Sequence, residues 1–388
     1  MTTFYKNLKK LINDMDKVLL LVTTILFVFG LLNIVTASSR AVVLRYNTSL
    51  YNFFYKQALN LVAGVIISLV VIFIPTKKYR KLGILAFFGV LALLIYLLLY
   101  GSLYKGSINW IKLGGFTLQP SELAKPAMIV CLSVLFELFY KKLRNKNNNH
   151  YDLIDIILFA GCCYPLLVFM EHDLGTAIIL FMIFTTLFLA SPILRIDKMK
   201  TCILGVILIV IAGIIIYVKT GSLLSETQLS RFDFFDPCSN YESGGYQICN
   251  GFIAINEGGL LGVGIGNSKQ ISYIPESHTD SVFAIISEEY GFLRSTLIFI
   301  GYIVVLGRIL SLSSKANTIR GRYLTLGVAV YIFLHILVNL GGLFGVMPLT
   351  GVPLPFLSYG GSFTLSLMVS LAIVQRVHIE TKNQPIKL

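Results

Sequence analysis

Apolar blocks of about 17 to 25 residues, with few charges inside them, run the length of the chain, and that pattern admits very few folds. Coiled as a helix, a block of this size matches the roughly 30 Å hydrocarbon layer of a bilayer. The blocks fall at 18–36, 57–75, 82–100, 122–140, 153–170, 175–191, 201–218, 281–307, 323–345 and 362–376. The fourth and eighth carry charges and are the least regular of the set. Hydrophobic residues make up 56% of the chain and charged ones 13%, against about 25% charged in an ordinary soluble domain. Water could not cover that much apolar surface. The expectation is an all-α, polytopic membrane protein of about ten transmembrane helices, forming one domain over residues 1–388.

Orientation follows from lysine and arginine, which short cytoplasmic loops retain. With the N-terminus placed inside, most of the 32 basic residues fall inside. Among them are Lys77, Lys78, Arg80 and Lys81, then Lys141, Lys142, Arg144 and Lys146. Those left outside are Arg40, Arg45, Lys105, Lys112, Lys219, Arg231 and Lys269. Both termini are therefore expected in the cytoplasm. The net charge of +13 is accounted for by contact with membrane lipids of the inner leaflet, and no basic domain remains for nucleic acid. Lys6, Lys9 and Lys10 precede the first block, but its apolar run is longer than the 7–15 residues of a signal core, so it reads as an uncleaved span.

One connection is long, from Lys219 to Asp280, between the seventh and eighth spans on the outer side. A loop of this length in a compact protein is functional or disordered, and its aromatics and glycines favour the first. Cys238 and Cys249 share it, where oxidation is possible, and a disulfide between them is one of two open outcomes. Cys131, Cys162, Cys163 and Cys202 lie in apolar blocks and read as small hydrophobes.

Four outward segments concentrate the polar chemistry. The first is GSINWIKLGGFTLQPSELAK, residues 106–125. Pro120, Ser121 and Glu122 suit the start of a helix, and Lys125 one turn further on is either a snorkelling side chain or a functional one. Trp110, the only tryptophan, suits an interfacial anchor as well as a substrate contact. The second is EHDLGT at 171–176, a tight turn whose Asp173 either caps the next helix or serves a site; three consecutive residues rarely point at one metal. The third is the long loop, with RFDFFDP at 231–237, GGYQ at 244–247, GGLLGVGIGNSKQ at 258–270 and IPESHTDSVFAIISEE at 274–289. Its glycines lack the spacing and the strand-to-helix context of a nucleotide fingerprint. The fourth, MPLTGVPLPFLSYGGS at 347–362, cannot form a regular helix. Either it is a surface loop or it lines a cavity, since irregular backbone at membrane depth needs protein or water around it.

Together these segments resemble the FtsW/RodA/SpoVE family of peptidoglycan polymerases. INWIKLGGFTLQPSELAK resembles the family's R-W-I-x-L-G followed by Q-P-S-E-x-x-K, and HDLGTA its P-D-L-G-T turn. FFDP, GGYQ, AINEGGLLGVGIGNSKQ and IPESHTDSVFAIISEE follow in the family's order, and GVPLPFLSYGGS is similar to its last outward loop. The likeness runs from the first block to the tenth. It implies a glycosyltransferase that joins lipid II to a nascent glycan strand on the outer membrane face, in cell elongation, division or sporulation. The family's essential acid corresponds to Asp280, its lysine to Lys125 and its aromatic to Trp110. Glu122, Asp173, Arg231, Lys269 and Ser358 complete the candidate set. The implied partner is a class B penicillin-binding protein, a single-span transpeptidase. Asn109 stands where the family commonly has arginine, His172 where it has proline, and Ser281 where it has phenylalanine, which leaves one cation fewer for a pyrophosphate.

The chemistry points the same way. A sugar hydroxyl attacking an anomeric carbon needs a carboxylate to take its proton and cations to hold the departing pyrophosphate. Asp280 suits the first task; Lys125, Arg231 or Lys269 suit the second, or a divalent cation, Mg or Mn, replaces them. A flippase for lipid-linked precursors is the alternative, and it would need polar residues continuing to the inner side. A solute transporter would show inverted repeats with matching broken helices, and only 347–361 is broken.

Overall fold

The structure, a computed structural model, describes residues 11–41, 49, 51–101, 107–113, 116–143, 151–221, 236–239 and 241–383. Backbone polar groups in hydrocarbon must be satisfied within their own segment, and helices do this. In chain order the helices are α1 (Lys17–Ala41), α2 (Asn52–Phe73), α3 (Tyr79–Tyr100), α4 (Pro120–Leu143), α5 (Tyr151–Met170), α6 (Leu174–Ala190) and α7 (Arg195–Thr220). There follow α8 (Tyr246–Gly258), α9 (Val282–Lys315), α10 (Ile319–Leu343) and α11 (Gly361–Asn383). Every apolar block of the sequence lies on one of these, and α8 is an additional helix within the long 219–280 connection. Among the described residues eight helices are long and apolar enough to cross a bilayer, and α6 is a shorter apolar helix. The chain is a multi-pass membrane protein.

The fold is mostly helical, as expected, with one small hairpin the sequence reading did not include. Ile111–Leu113 (β1) and Phe116–Leu118 (β2) pair antiparallel, with Ile111 opposite Leu118 and Lys112 opposite Thr117. The run I-K-L-G-G-F-T-L explains it: two short alternating stretches joined by Gly-Gly form a hairpin signal.

α4, α10 and α11 make the centre, with 67% of residues in the apolar window of α10 buried. In the apolar windows of α4 and α11, 72% of residues are buried, against 17% in α2, so α4 and α11 are surrounded by protein while α2 faces outward. α4 touches α3, α5, α6, α10 and α11, and α2 packs on α11.

α9 is 34 residues long, about 51 Å as a helix and well beyond a bilayer core. It is kinked at Gly291, whose φ of 75° and ψ of 175° break the helical ladder. The amides this frees are not left unpaired: Phe292 N donates to Gly259 O at 2.8 Å and Leu293 N to Leu260 O at 3.2 Å. Val282 through Glu289 are buried on every side, whereas Phe292, Leu293, Leu297 and Ile300 are exposed apolar residues. The kink thus divides a part enclosed in protein from a part with an exposed apolar face; of the charges in the eighth block, Glu288 and Glu289 lie in the former and Arg294 beyond the kink. Glu288 accepts from Lys269 N at 2.7 Å, and Glu289 from Gly266 N at 3.0 Å and Thr36 Oγ1 at 3.1 Å. Gly262, at φ +84°, passes so close that a Cβ there would lie 2.2 Å from Glu289 O.

Cys238 and Cys249 are joined in a disulfide that ties the residues before α8 to its second turn. In protein extracted without reductant, neither thiol is expected to react with a maleimide until a reductant is added. Alkylation of both before reduction would overturn the bond.

Candidate active site

Asp280 is placed by the turn that starts α9. Thr279 N and Thr279 Oγ1 both donate to Glu276 O, at 3.0 and 2.9 Å, and Glu276 itself takes a positive φ of 54°. Three elements converge on the aspartate. From α8, Gln247 Nε2 donates to Asp280 Oδ1 at 3.3 Å and to Ser281 Oγ at 2.8 Å. From α10, Asn339 Nδ2 donates to Asp280 O and to Val352 O, both at 2.7 Å. From the irregular stretch before α11, Gly351 at φ +69° approaches so that a Cβ on it would lie 3.7 Å from Asp280 Oδ2. Asp280 as a whole is half-buried. Burial among these groups raises its pKa to about 6; hydrogen bonds from its own amide, Gln247 and the Ser281 amide oppose the rise, and Glu276 adds to it.

The other outward segments lock onto this centre. Asp173 is the N-cap of α6: its Oδ1 accepts from Thr176 N at 3.1 Å, while Oδ2 accepts from Asn109 Nδ2 and Gln119 Nε2, each at 3.3 Å. The capping role considered from sequence is met, and the second carboxylate oxygen holds Asn109 and Gln119 on either side of the hairpin. A Cβ on Gly175 would lie 2.8 Å from Thr350 Cβ, so the start of α6 is set directly against 350–352. Gln119 N donates to Ser362 Oγ at 3.0 Å, joining the hairpin to α11. Tyr359 N donates to His278 O at 2.9 Å, and the Phe53 ring packs on both His278 and Tyr359. All four segments therefore meet at one end of the bundle, and the stretch 347–362 lines it.

The remaining candidates are distributed unequally. Lys125 is 1% and Glu122 2% exposed, and Lys125 Nζ sits 2.7 Å from Glu122 Oε1. The Tyr331 and Phe363 ring centroids are 5.7 and 5.9 Å from the ammonium. The i, i+3 pair open from the sequence is thus formed, one turn below the hairpin. Ser358 is buried; its Oγ accepts from Leu354 N at 2.8 Å and closes the turn Leu354–Ser358. Lys269 is exposed at the loop clamped by Glu288, with no hydrogen bond to Asp280. Trp110 is 37% exposed beside β1. Arg231 lies outside the described residues.

Three residues that sequence reasoning did not single out matter here. Asn339 is a polar group inside an apolar span, the type of signal that marks a site in a membrane helix. Gln247 was visible only as the last letter of GGYQ. Glu171 is 0% exposed with neither carboxylate oxygen hydrogen-bonded; burial, reinforced by Asp173, raises its pKa to about 8, so it is held neutral at pH 7. As for a divalent cation, among the described residues no three His, Cys, Asp or Glu side chains converge as ligands. Asp280 has Glu276 as its acidic neighbour.

The sequence model of one family, FtsW/RodA/SpoVE, described as "Cell cycle protein", matches residues 16–383. The Bacillus subtilis (strain 168) protein named "Probable peptidoglycan glycosyltransferase FtsW" is 33% identical over 392 aligned positions, which cover 97% of this chain and 93% of that protein. A chain from the structure described as "Structural coordination of polymerization and crosslinking by a peptidoglycan synthase complex" superposes with a TM-score of 0.73 at 21% identity, covering 95% of this chain and 99% of that one. The rod shape determining protein RodA of Thermus thermophilus superposes at 0.67 and 21% identity, covering 95% and 98%.

Proposed function

Because the chain belongs to the FtsW/RodA/SpoVE family, we propose that it is a peptidoglycan glycosyltransferase whose general base is Asp280. The observation that carries the assignment of the base is the convergence of α8, α10 and the 347–362 stretch on Asp280, half-buried at the end of the bundle where the four segments meet. We read the fold as ten spans with both termini in the cytoplasm, which puts the Asp280 end outside, where lipid II presents its disaccharide. The acceptor sugar hydroxyl attacks the anomeric carbon of the donor, its proton passes to Asp280, and the lipid pyrophosphate leaves. Asn339 and Gln247 fix the carboxyl from the backbone and side-chain sides. Glu171, neutral and enclosed, adds no second negative charge beside the pyrophosphate. Trp110, Lys269 and Arg231 are the substrate contacts this reading assigns to the rim, Asp173 orders the hairpin that carries Trp110, and Lys125 is the buried cation directed at the pyrophosphate. A class B penicillin-binding protein is the expected partner, and the role in elongation, division or sporulation is common to the family.

The test is polymerisation of purified lipid II by the reconstituted protein. Glycan strands exclude a flippase without polymerase activity; lipid II consumed by no preparation, with translocation observed instead, overturns the enzyme. The pH dependence follows from the raised pKa. Asp280 accepts a proton only when ionised, so the rate should climb as pH rises through about 6 and level off above it. An acid limb centred near the ordinary carboxylate value of about 4 would separate Asp280 from the rate.

A further inference from the structure

The end of the bundle opposite Asp280 holds a second constellation. The start of α2 belongs to the active-site end, through Phe53 against His278 and Tyr359 and through Gln57, whose Nε2 donates to Thr364 Oγ1 at 2.9 Å. Its 22 residues then run about 33 Å away from that end. There the chain turns at Pro75 into a single 3₁₀ turn, Thr76–Lys78, and enters α3.

This turn is rigid. Thr76 N donates to Glu380 Oε1 at 2.8 Å, Arg376 Nη1 donates to Ile72 O at 3.1 Å, and Arg376 and Glu380 pair with each other at 2.9 Å. The acidic group nearest the turn is therefore already engaged. Lys77, Lys78, Arg80 and Lys81 are all exposed, and among the described residues none of them has an acidic partner. Beside them a hollow of about 520 Å³ runs along the last turns of α2, within the 300–1,000 Å³ range of ligand pockets. Val70, Phe73, Ile74, Pro75 and Lys78 line it. An apolar trough with Lys78 in its lining and Lys77, Arg80 and Lys81 exposed within three residues of it in sequence is the complement of an amphiphile with an anionic head.

We infer that this hollow seats an anionic diacyl phospholipid, its acyl chain along α2 and its phosphate among Lys77, Lys78, Arg80 and Lys81. The site lies a full helix length from the reacting groups, so it is independent of the catalytic reading and needs only the membrane-spanning fold. A basic cluster at a helix end gains most from anionic lipid at the cytoplasmic face, which is where the orientation proposed above puts it.

The experiment is native mass spectrometry of the full-length, delipidated protein titrated with phosphatidylglycerol or with phosphatidylcholine of the same chains. At least about tenfold tighter retention of phosphatidylglycerol is expected from four unpaired cations. The fourfold variant Lys77→Gln/Lys78→Gln/Arg80→Gln/Lys81→Gln should abolish that preference, and Val70→Trp, which fills the hollow from an exposed position, should weaken retention while leaving the charges in place. Equal retention of the two lipids, or unchanged preference in the fourfold variant, overturns the seat. Displacement by glycerol phosphate would make it a site for a free anion, and tighter binding of undecaprenyl phosphate than of phosphatidylglycerol would make it a site for a carrier lipid; either result also overturns it.

Discussion

Asp280→Asn protein, reconstituted with lipid II, is expected to polymerise it about 10²- to 10⁴-fold more slowly than the parent, the range over which a positioned general base acts. The substitution keeps the shape of the side chain and removes only its ability to take a proton. The fold has little reason to object: Asn339 holds the main-chain oxygen of residue 280, and an asparagine Oδ1 can still accept from Gln247 as Asp280 Oδ1 does. Unchanged accumulation and thermal unfolding, alongside the lost rate, complete the expectation. Residual turnover within a few-fold of the parent would remove Asp280 from the chemistry, whatever its burial.

The second large effect concerns Lys125 and Glu122, which lie against each other with almost no exposure. Lys125→Met leaves a buried carboxylate without its cation, and breaking such a pair costs about 3–5 kcal/mol. That variant should melt earlier and accumulate less. Adding Glu122→Gln removes the uncompensated charge and should return the stability. Turnover is the discriminating measurement. With Lys125 directed at the pyrophosphate, the stable double variant stays inactive while Lys125→Arg keeps part of the rate. Recovery of both stability and turnover in the double variant would reduce Lys125 to a partner of Glu122.

The helices were legible because membrane spans announce themselves by length and composition, and the apolar blocks from 18–36 to 362–376 all fall on helices. What was not legible depends on distant partners. The block assigned to 281–307 begins within protein, because Val282 to Glu289 are enclosed by α8, α10 and the 258–270 loop, and hydropathy cannot tell a protein interior from lipid. The hairpin at 111–118 escaped a reading tuned to spans. In the site, Asp280 stood out by chemistry and resemblance, but Gln247 and Asn339 came from segments 33 residues before and 59 residues after it, and nothing local pairs them. Ser358 shows the converse: a polar residue in a telling motif whose hydroxyl closes its own turn.

The repair of α9 by Gly259 and Leu260 makes the outer loop a component of that helix. Those carbonyls are synthesised before the span they complete, so the patch is made before the break. Without them, two N–H groups beside the exposed apolar face would be unpaired, at a cost on the order of several kcal/mol each in hydrocarbon. Loop and helix must therefore gain and lose structure as a single cooperative unit. Sequence drift is constrained accordingly: a length change within 258–266 counts, in effect, as a mutation of the membrane span itself.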